Sequence, residues 1–190
     1  MLRDVLGSIV VLFSPLSANS LTNLLHLSKE DIDQTLEDLH SILDIPDNQV
    51  RPIRLHHPSF RDFLLDQDRC SDPHFLVNEK QAHRGLADAC MRLMSTTLRK
   101  DICALRRPGA LTKDVEGTRV KKFLPPEVQY ACIYWVRHIQ KSGVQLYDDD
   151  QVHTFLQEHL LHWLEALSLV GKTSEGVLSI ASLEYYIPVS

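Results

Sequence analysis

The sequence predicts a mostly α protein with one small β-hairpin. Three observations carry that expectation. Apolar residues recur at 3- and 4-residue spacing through most of the chain, Pro and Gly punctuate the periodic runs, and two short strand-like runs flank Pro46-Asp47-Asn48.

The first run is apolar at Leu2, Val5, Leu6, Ile9, Val10 and Phe13, one buried helix face over residues 2 to 13 that Pro15 stops. Asn19 or Ser20 is placed to cap a short second helix over Leu21 to Leu25. Ser28-Lys29-Glu30-Asp31 resembles a capping box with a shorter carboxylate, and Ile32, Leu36, Leu39 and Leu43 carry the inner face of the third helix. Ile42 to Ile45 and Val50 to Leu55 read as the strands of the hairpin, with turn chemistry between them. Pro58 suits the first turn of a fourth helix bearing Phe60, Phe63 and Leu64.

Polar residues from Asp68 to Asp72, followed by Pro73, mark a linker or sharp turn. Beyond it the chain reads as nearly all helix. Leu86, Cys90, Leu93, Thr97 and Leu98 line one face, with Ile102 and Leu105 extending it. Pro125-Pro126 opens a helix in which Val128, Ala131, Cys132, Trp135, Val136 and Ile139 cover more than one side, so it should be central. A further long helix follows the acidic triplet Asp148-Asp149-Asp150, which favours the positive N-terminal end, and turns Val152, Phe155, Leu156, Leu160, Trp163, Leu164 and Leu167 inward.

Composition narrows the function. The 190 residues are 44% apolar and 24% charged, enough for a core without disulfides or metal. Cys70, Cys90, Cys103 and Cys132 have no Cys-x-x-Cys spacing, so zinc and thiol exchange are not expected. The apolar run Ile9 to Phe13 is far short of the ~20 residues of a membrane span, and the N-terminus lacks a signal-peptide pattern, so a cytoplasmic protein without membrane contact is expected. The net charge of −5 argues against a protein held mainly by phosphate contacts to nucleic acid.

Three helices beside a hairpin outline a winged helix over residues 1 to 70, followed by a helical domain over 71 to 190. Such folds often place the third helix in the major groove of DNA. Here Ser28 to Asn48 carries Lys29 against Glu30, Asp31, Asp33, Glu37, Asp38, Asp44 and Asp47, a net of −6 that phosphate would repel. Packing is therefore the preferred role of the winged helix, and a DNA-binding regulator is the alternative. Residues 99 to 122 form the one basic region, with eight cations and three acids, and read as a solvated loop or an anion or partner site.

Several motifs lack the context their chemistry needs. Gly171-Lys172-Thr173 looks like the end of a P-loop, but Ala166 stands where the first Gly belongs and a helix precedes it, so Gly171 reads as a helix end. His159, His162 and Glu165 share a helix face at metal-ligand spacing without an identifiable fourth ligand, so no metal site is expected. Ser59 and His57 have no nucleophile elbow or oxyanion glycines around them. No catalytic residue is assigned. The segment Val50 to Leu64 is more specific: His57, between a strand and Pro58, can meet a phosphate together with the free N–H groups of a helix, or can simply cap that helix.

The stretches Leu6-Gly7-Ser8-Ile9-Val10, Leu39-His40-Ser41-Ile42-Leu43, Leu55-His56-His57-Pro58-Ser59-Phe60-Arg61-Asp62-Phe63-Leu64, Leu124-Pro125-Pro126-Glu127-Val128-Gln129-Tyr130-Ala131-Cys132 and His162-Trp163-Leu164-Glu165-Ala166-Leu167-Ser168-Leu169 resemble fungal NACHT-family proteins, NLR-like STAND ATPases commonly followed by a tryptophan-aspartate repeat propeller. The resemblance covers almost the whole chain. It implies the winged-helix and helical region on the C-terminal side of the nucleotide-binding core. It also implies that His57 matches the winged-helix histidine that touches the ADP phosphate and holds the resting state. The P-loop, magnesium-binding acid, sensor arginine and propeller have no counterparts here, so a fragment or truncated product is expected, or a chain acting in trans. The resemblance thus implies a non-catalytic regulatory module. ADP or ATP would enter only through a separate or missing NACHT core, the expected partner in cis or trans, and self-association is possible.

Overall fold

The computed structural model describes residues 2–46, 48–106 and 115–187. Among them are nine α-helices: α1 Leu2–Val11, α2 Ala18–Leu25, α3 Lys29–Asp38, α4 Pro58–Leu65, α5 Glu79–Thr97, α6 Gly117–Phe123, α7 Pro126–Ser142, α8 Gln151–Leu169 and α9 Thr173–Leu183. Between α3 and α4, β1 Leu43–Asp44 and β2 Arg54–Leu55 pair antiparallel, Leu43 opposite Leu55 and Asp44 opposite Arg54. The mostly helical fold with a two-stranded hairpin is the class the sequence predicts.

The helix ends follow the capping chemistry, with shifts. α1 stops at Val11 rather than Phe13, and the Phe13 ring turns onto His83 and His138. α2 begins earlier than the reading from Asn19 or Ser20, because Ser17 is the cap and accepts the Ser20 N–H at 3.2 Å. Ser28 caps α3 as expected, accepting the Asp31 N–H at 3.1 Å. α3 ends at Asp38, so Leu43 is buried from β1 and not from the helix.

The hairpin is shorter than the sequence suggests. Ile53 donates its N–H to Leu16 O at 2.9 Å, and Ser17 bridges Pro52. The residues that would lengthen β2 therefore pair with the connection between α1 and α2. Pro52 also has no N–H to give to a ladder. At the turn, Asn48 accepts the Val50 N–H at 3.0 Å, while Asp47 lies outside the described residues.

The basic region departs from the loop reading. Residues 107 to 114 lie outside the described ones, but Gly117–Phe123 is helical, with Val120 buried and Lys121 and Lys122 in the last turn, where cations favour the helix dipole. Arg119 donates from Nε to Cys103 O at 2.7 Å and from Nη2 to Ala104 O at 2.6 Å. One of the eight cations thus ties the chain back on itself.

As expected, α7 is central. Its Val128, Ala131, Cys132, Trp135, Val136 and Ile139 are buried, and its pairing with α5 is the most extensive between helices. α1 and α2 pack on α5, α2 also meets α7, and α8 and α9 close over α7. Trp163 of α8 donates its indole N–H to Cys132 O at 2.8 Å, and Trp135 meets Phe155 and Trp163 edge-on. The buried side chains form one continuous cluster from Val5 to Leu183. All four cysteines are free and buried within it, and burial pushes the Cys132 thiol up to about 12, so it behaves as a small hydrophobe.

Candidate functional site

His57 occupies the junction between β2 and α4. Leu55 holds its register through Leu43, and the His56 N–H reaches Ile42 O at 3.1 Å, so the strand fixes the chain up to the turn. His57 itself is extended (φ −138°, ψ 133°), and Pro58 begins the helix where a missing N–H costs nothing.

The imidazole is the N-cap. Its Nδ1 accepts the Ser59 N–H at 3.1 Å and lies 2.6 Å from Ser59 Oγ. Because Nδ1 serves as an acceptor, a neutral ring carries its proton on Nε2. Both His56 and His57 are exposed, and only His57 has its ring tied to the helix end. Arg51, Arg54 and Arg61 are exposed in the same segment, with Asp62 as its one acid. Pro58 has no N–H, and the Ser59 and Phe60 N–H groups are already taken by His57 Nδ1 and His57 O, so the free helix N–H groups the sequence suggests are not there. What the junction offers an anionic oxygen is the ring's own N–H, the positive end of the helix dipole and the nearby arginines.

The other sequence candidates resolve into structural roles. Gly171 (φ +71°) and Lys172 close α8: their N–H groups reach Ser168 O at 3.0 Å and Leu167 O at 2.8 Å, the two bonds of a Schellman end. Lys172 Nζ meets Glu175 Oε1 at 2.6 Å, which raises the lysine's pKa and lowers the glutamate's. Glu165 accepts the N–H groups of Asp101 and Ile102 at 3.1 and 3.2 Å, and the His159 and His162 Nδ1 atoms lie 3.4 Å apart. No group of three residues able to hold a metal exists among the described residues.

Sequence reasoning missed a buried polar cluster. His83 of α5 and His138 of α7, both fully buried, face each other through Nδ1 at 2.8 Å. Tyr130 Oη lies 2.7 Å from His138 Nε2 and accepts the Phe13 N–H at 3.3 Å. The signal was present: His83 falls one turn before Leu86 and two turns before Cys90 on the inner face of α5, and His138 stands in phase with Ala131 and Trp135 on α7. A second buried group, Glu127, accepts from Ser20 Oγ at 2.9 Å and Asn23 Nδ2 at 2.6 Å, joining α2 to the first turn of α7.

These features define a helical module with a hairpin and one histidine-capped, anion-compatible junction. The chain is 30% identical over 207 aligned residues to the vegetative incompatibility protein HET-E-1 of Podospora anserina, an alignment that takes in 96% of this chain. The relation is to a fungal NLR-like protein. The chain spans 15% of that relative's length. No family model matches the chain, and no solved structure matches it significantly.

Proposed function

We propose that the chain is a non-catalytic regulatory and interdomain-packing module of an NLR-like signalling ATPase. In this reading residues 1 to 70 are the winged helix, residues 71 to 190 are the helical domain, and both work in the cytoplasm against a NACHT nucleotide-binding core in cis or in trans. The observation that carries the proposal is the His57 junction in a chain related along nearly its whole length to HET-E-1. With Nδ1 engaged by Ser59, the Nε2–H is the proton the ring has left to donate, and the terminal phosphate of ADP on the core is the acceptor we assign to it.

A charge-assisted bond of this kind is worth about 1.5 to 3 kcal/mol, roughly a 10- to 150-fold bias between closed and open states. The test is ADP dissociation from the module assembled with its core. His57→Ala should speed release by a factor in that range, and His56→Ala should do much less. His57→Asn keeps a strong N-cap but lacks the distal ring N–H, so it should release ADP as fast as His57→Ala while α4 stays intact. Release at the wild-type rate from both His57 variants would reduce the histidine to a cap.

A further inference from the structure

A cleft of about 280 Å³ opens between α1, the end of α2 and the N-terminal half of α5, away from His57. Its apolar lining comes from Val5, Leu25, Leu27 and Val77. Its charged lining is Arg3 and Arg92 against one acid, Asp4. Among the described residues neither guanidinium has a hydrogen-bond or ion-pair partner.

Two glycines sharpen the shape. Gly7 lies inside α1 and Gly85 inside α5, and both line this cleft. Helix-interior glycine weakens a helix, so it calls for a reason. Packing gives one at Gly176, where an added Cβ would come within 2.5 Å of Leu167 Cδ1. It gives none here: a Cβ on Gly85 would meet nothing within 4 Å, and one on Gly7 would make ordinary contacts at 3.5 and 3.6 Å with Val77 and Ala82. What alanine would take from these positions is room in the cleft.

The geometry points to this cleft as a binding site for a small amphiphilic carboxylate, its chain between the glycine-bearing walls of α1 and α5 and its head group on Arg3 and Arg92. The volume is near the lower end of small-ligand sites, about 300 Å³, which suits a medium acyl chain and excludes a nucleotide-sized ligand. Two guanidiniums match a carboxylate through paired N–H donors, and the excess of positive charge selects the anion over the neutral alcohol. The site is independent of the proposed role of His57.

Titration calorimetry of the full chain with decanoate tests it, with decan-1-ol and acetate as the separate halves of the ligand. Saturable one-to-one binding of decanoate is expected, with decan-1-ol and acetate each at least ~10-fold weaker. Arg3→Gln combined with Arg92→Gln should weaken decanoate ~10-fold or more, both side chains being exposed and dispensable for folding. Gly85→Leu should abolish binding while Gly85→Ala, which strengthens α5, lowers it. No saturable decanoate heat, equal affinity for the alcohol, or wild-type affinity in the folded double arginine variant would overturn the assignment.

Discussion

His83 and His138 meet Nδ1 to Nδ1 at 2.8 Å in the seam between α5 and α7, and the contact orders the protons around it. Tyr130 Oη accepts from Phe13, so its own proton is free to go to His138 Nε2. His138 then holds its proton on Nδ1 and donates it to His83 Nδ1. The remaining proton lies on His83 Nε2, buried without a hydrogen-bond partner and 3.7 Å from Glu79 Oε1. Both rings are neutral in this arrangement.

Acid should therefore weaken the fold before the carboxylates titrate. Burial lowers the His138 pKa to about 3, helped by His83 and Arg137. Burial also lowers that of His83, with Lys141 and Arg61 acting the same way and Glu79 opposing. A histidine with a depressed folded pKa binds more protons when unfolded, so its contribution is present above the unfolded value near 6.5 and is lost as pH falls below it. For His138 alone the loss between pH 7 and pH 5 is about 2 kcal/mol. Urea midpoints across that range check it. A flat profile would mean that the pair is protonated or solvated in the folded protein.

Glu127 supplies a second measurable link. Its carboxylate, 6% exposed, receives both Ser20 and Asn23 and so fastens α2 to the start of α7. Glu127→Ala should cost about 1.5 to 3 kcal/mol in urea denaturation, since it leaves a buried hydroxyl and an amide without their acceptor. Glu127→Gln keeps one carbonyl oxygen and should lose less. Equal stabilities for all three chains would show that water replaces the carboxylate at no cost.

How much of this was legible beforehand depends on the range of the interaction. Ser28, Pro58, Asp150 and Gly171 act on backbone within a few residues, and the elements they start or stop stand where the sequence places them. The His57 cap was one of two readings its neighbours allowed, and the bond to Ser59 realises it. Contacts between distant segments were not legible. Arg119 reaching Cys103, Glu165 capping Asp101, Ile53 pairing with Leu16 and the His83–His138 pair all join residues that only the packed fold brings together.

The Gly171-Lys172-Thr173 motif predicts an absence of activity that can be measured. Phosphate cradling needs backbone N–H groups aimed at the ligand and a free lysine. Here the Gly171 and Lys172 N–H groups close α8 and the lysine is paired with Glu175. The chain alone should release no phosphate from ATP or GTP above a buffer blank, and Lys172→Ala should leave that unchanged. Release that the substitution abolishes would overturn the non-catalytic reading.

Duplex DNA should bind no better than it does to an acidic control protein at physiological salt. α3 carries Glu30, Asp31, Asp33, Glu37 and Asp38 with Lys29 as its one cation, and every phosphate brought to that face adds repulsion. Electrophoretic shifts over a range of sequences decide it. A submicromolar, sequence-selective shift would restore the DNA-binding alternative.

The last prediction concerns α9. Val177, Leu178, Ile180, Tyr185 and Ile187 are 40 to 88% exposed within and just after one short helix, and Leu161 of α8 is 77% exposed. The only ionisable residue inside α9 is Glu175, already paired with Lys172. Apolar groups concentrated this way drive association once they exceed a few hundred Å². Without a partner the chain should bind a hydrophobic dye and grow in apparent mass with concentration in sedimentation. Leu178→Ser together with Tyr185→Ser should reverse both effects without unfolding the protein, because neither side chain enters the core. A wild-type monomer that ignores the dye at high concentration would show that the face is tolerated by water and would overturn the self-association expected from the sequence.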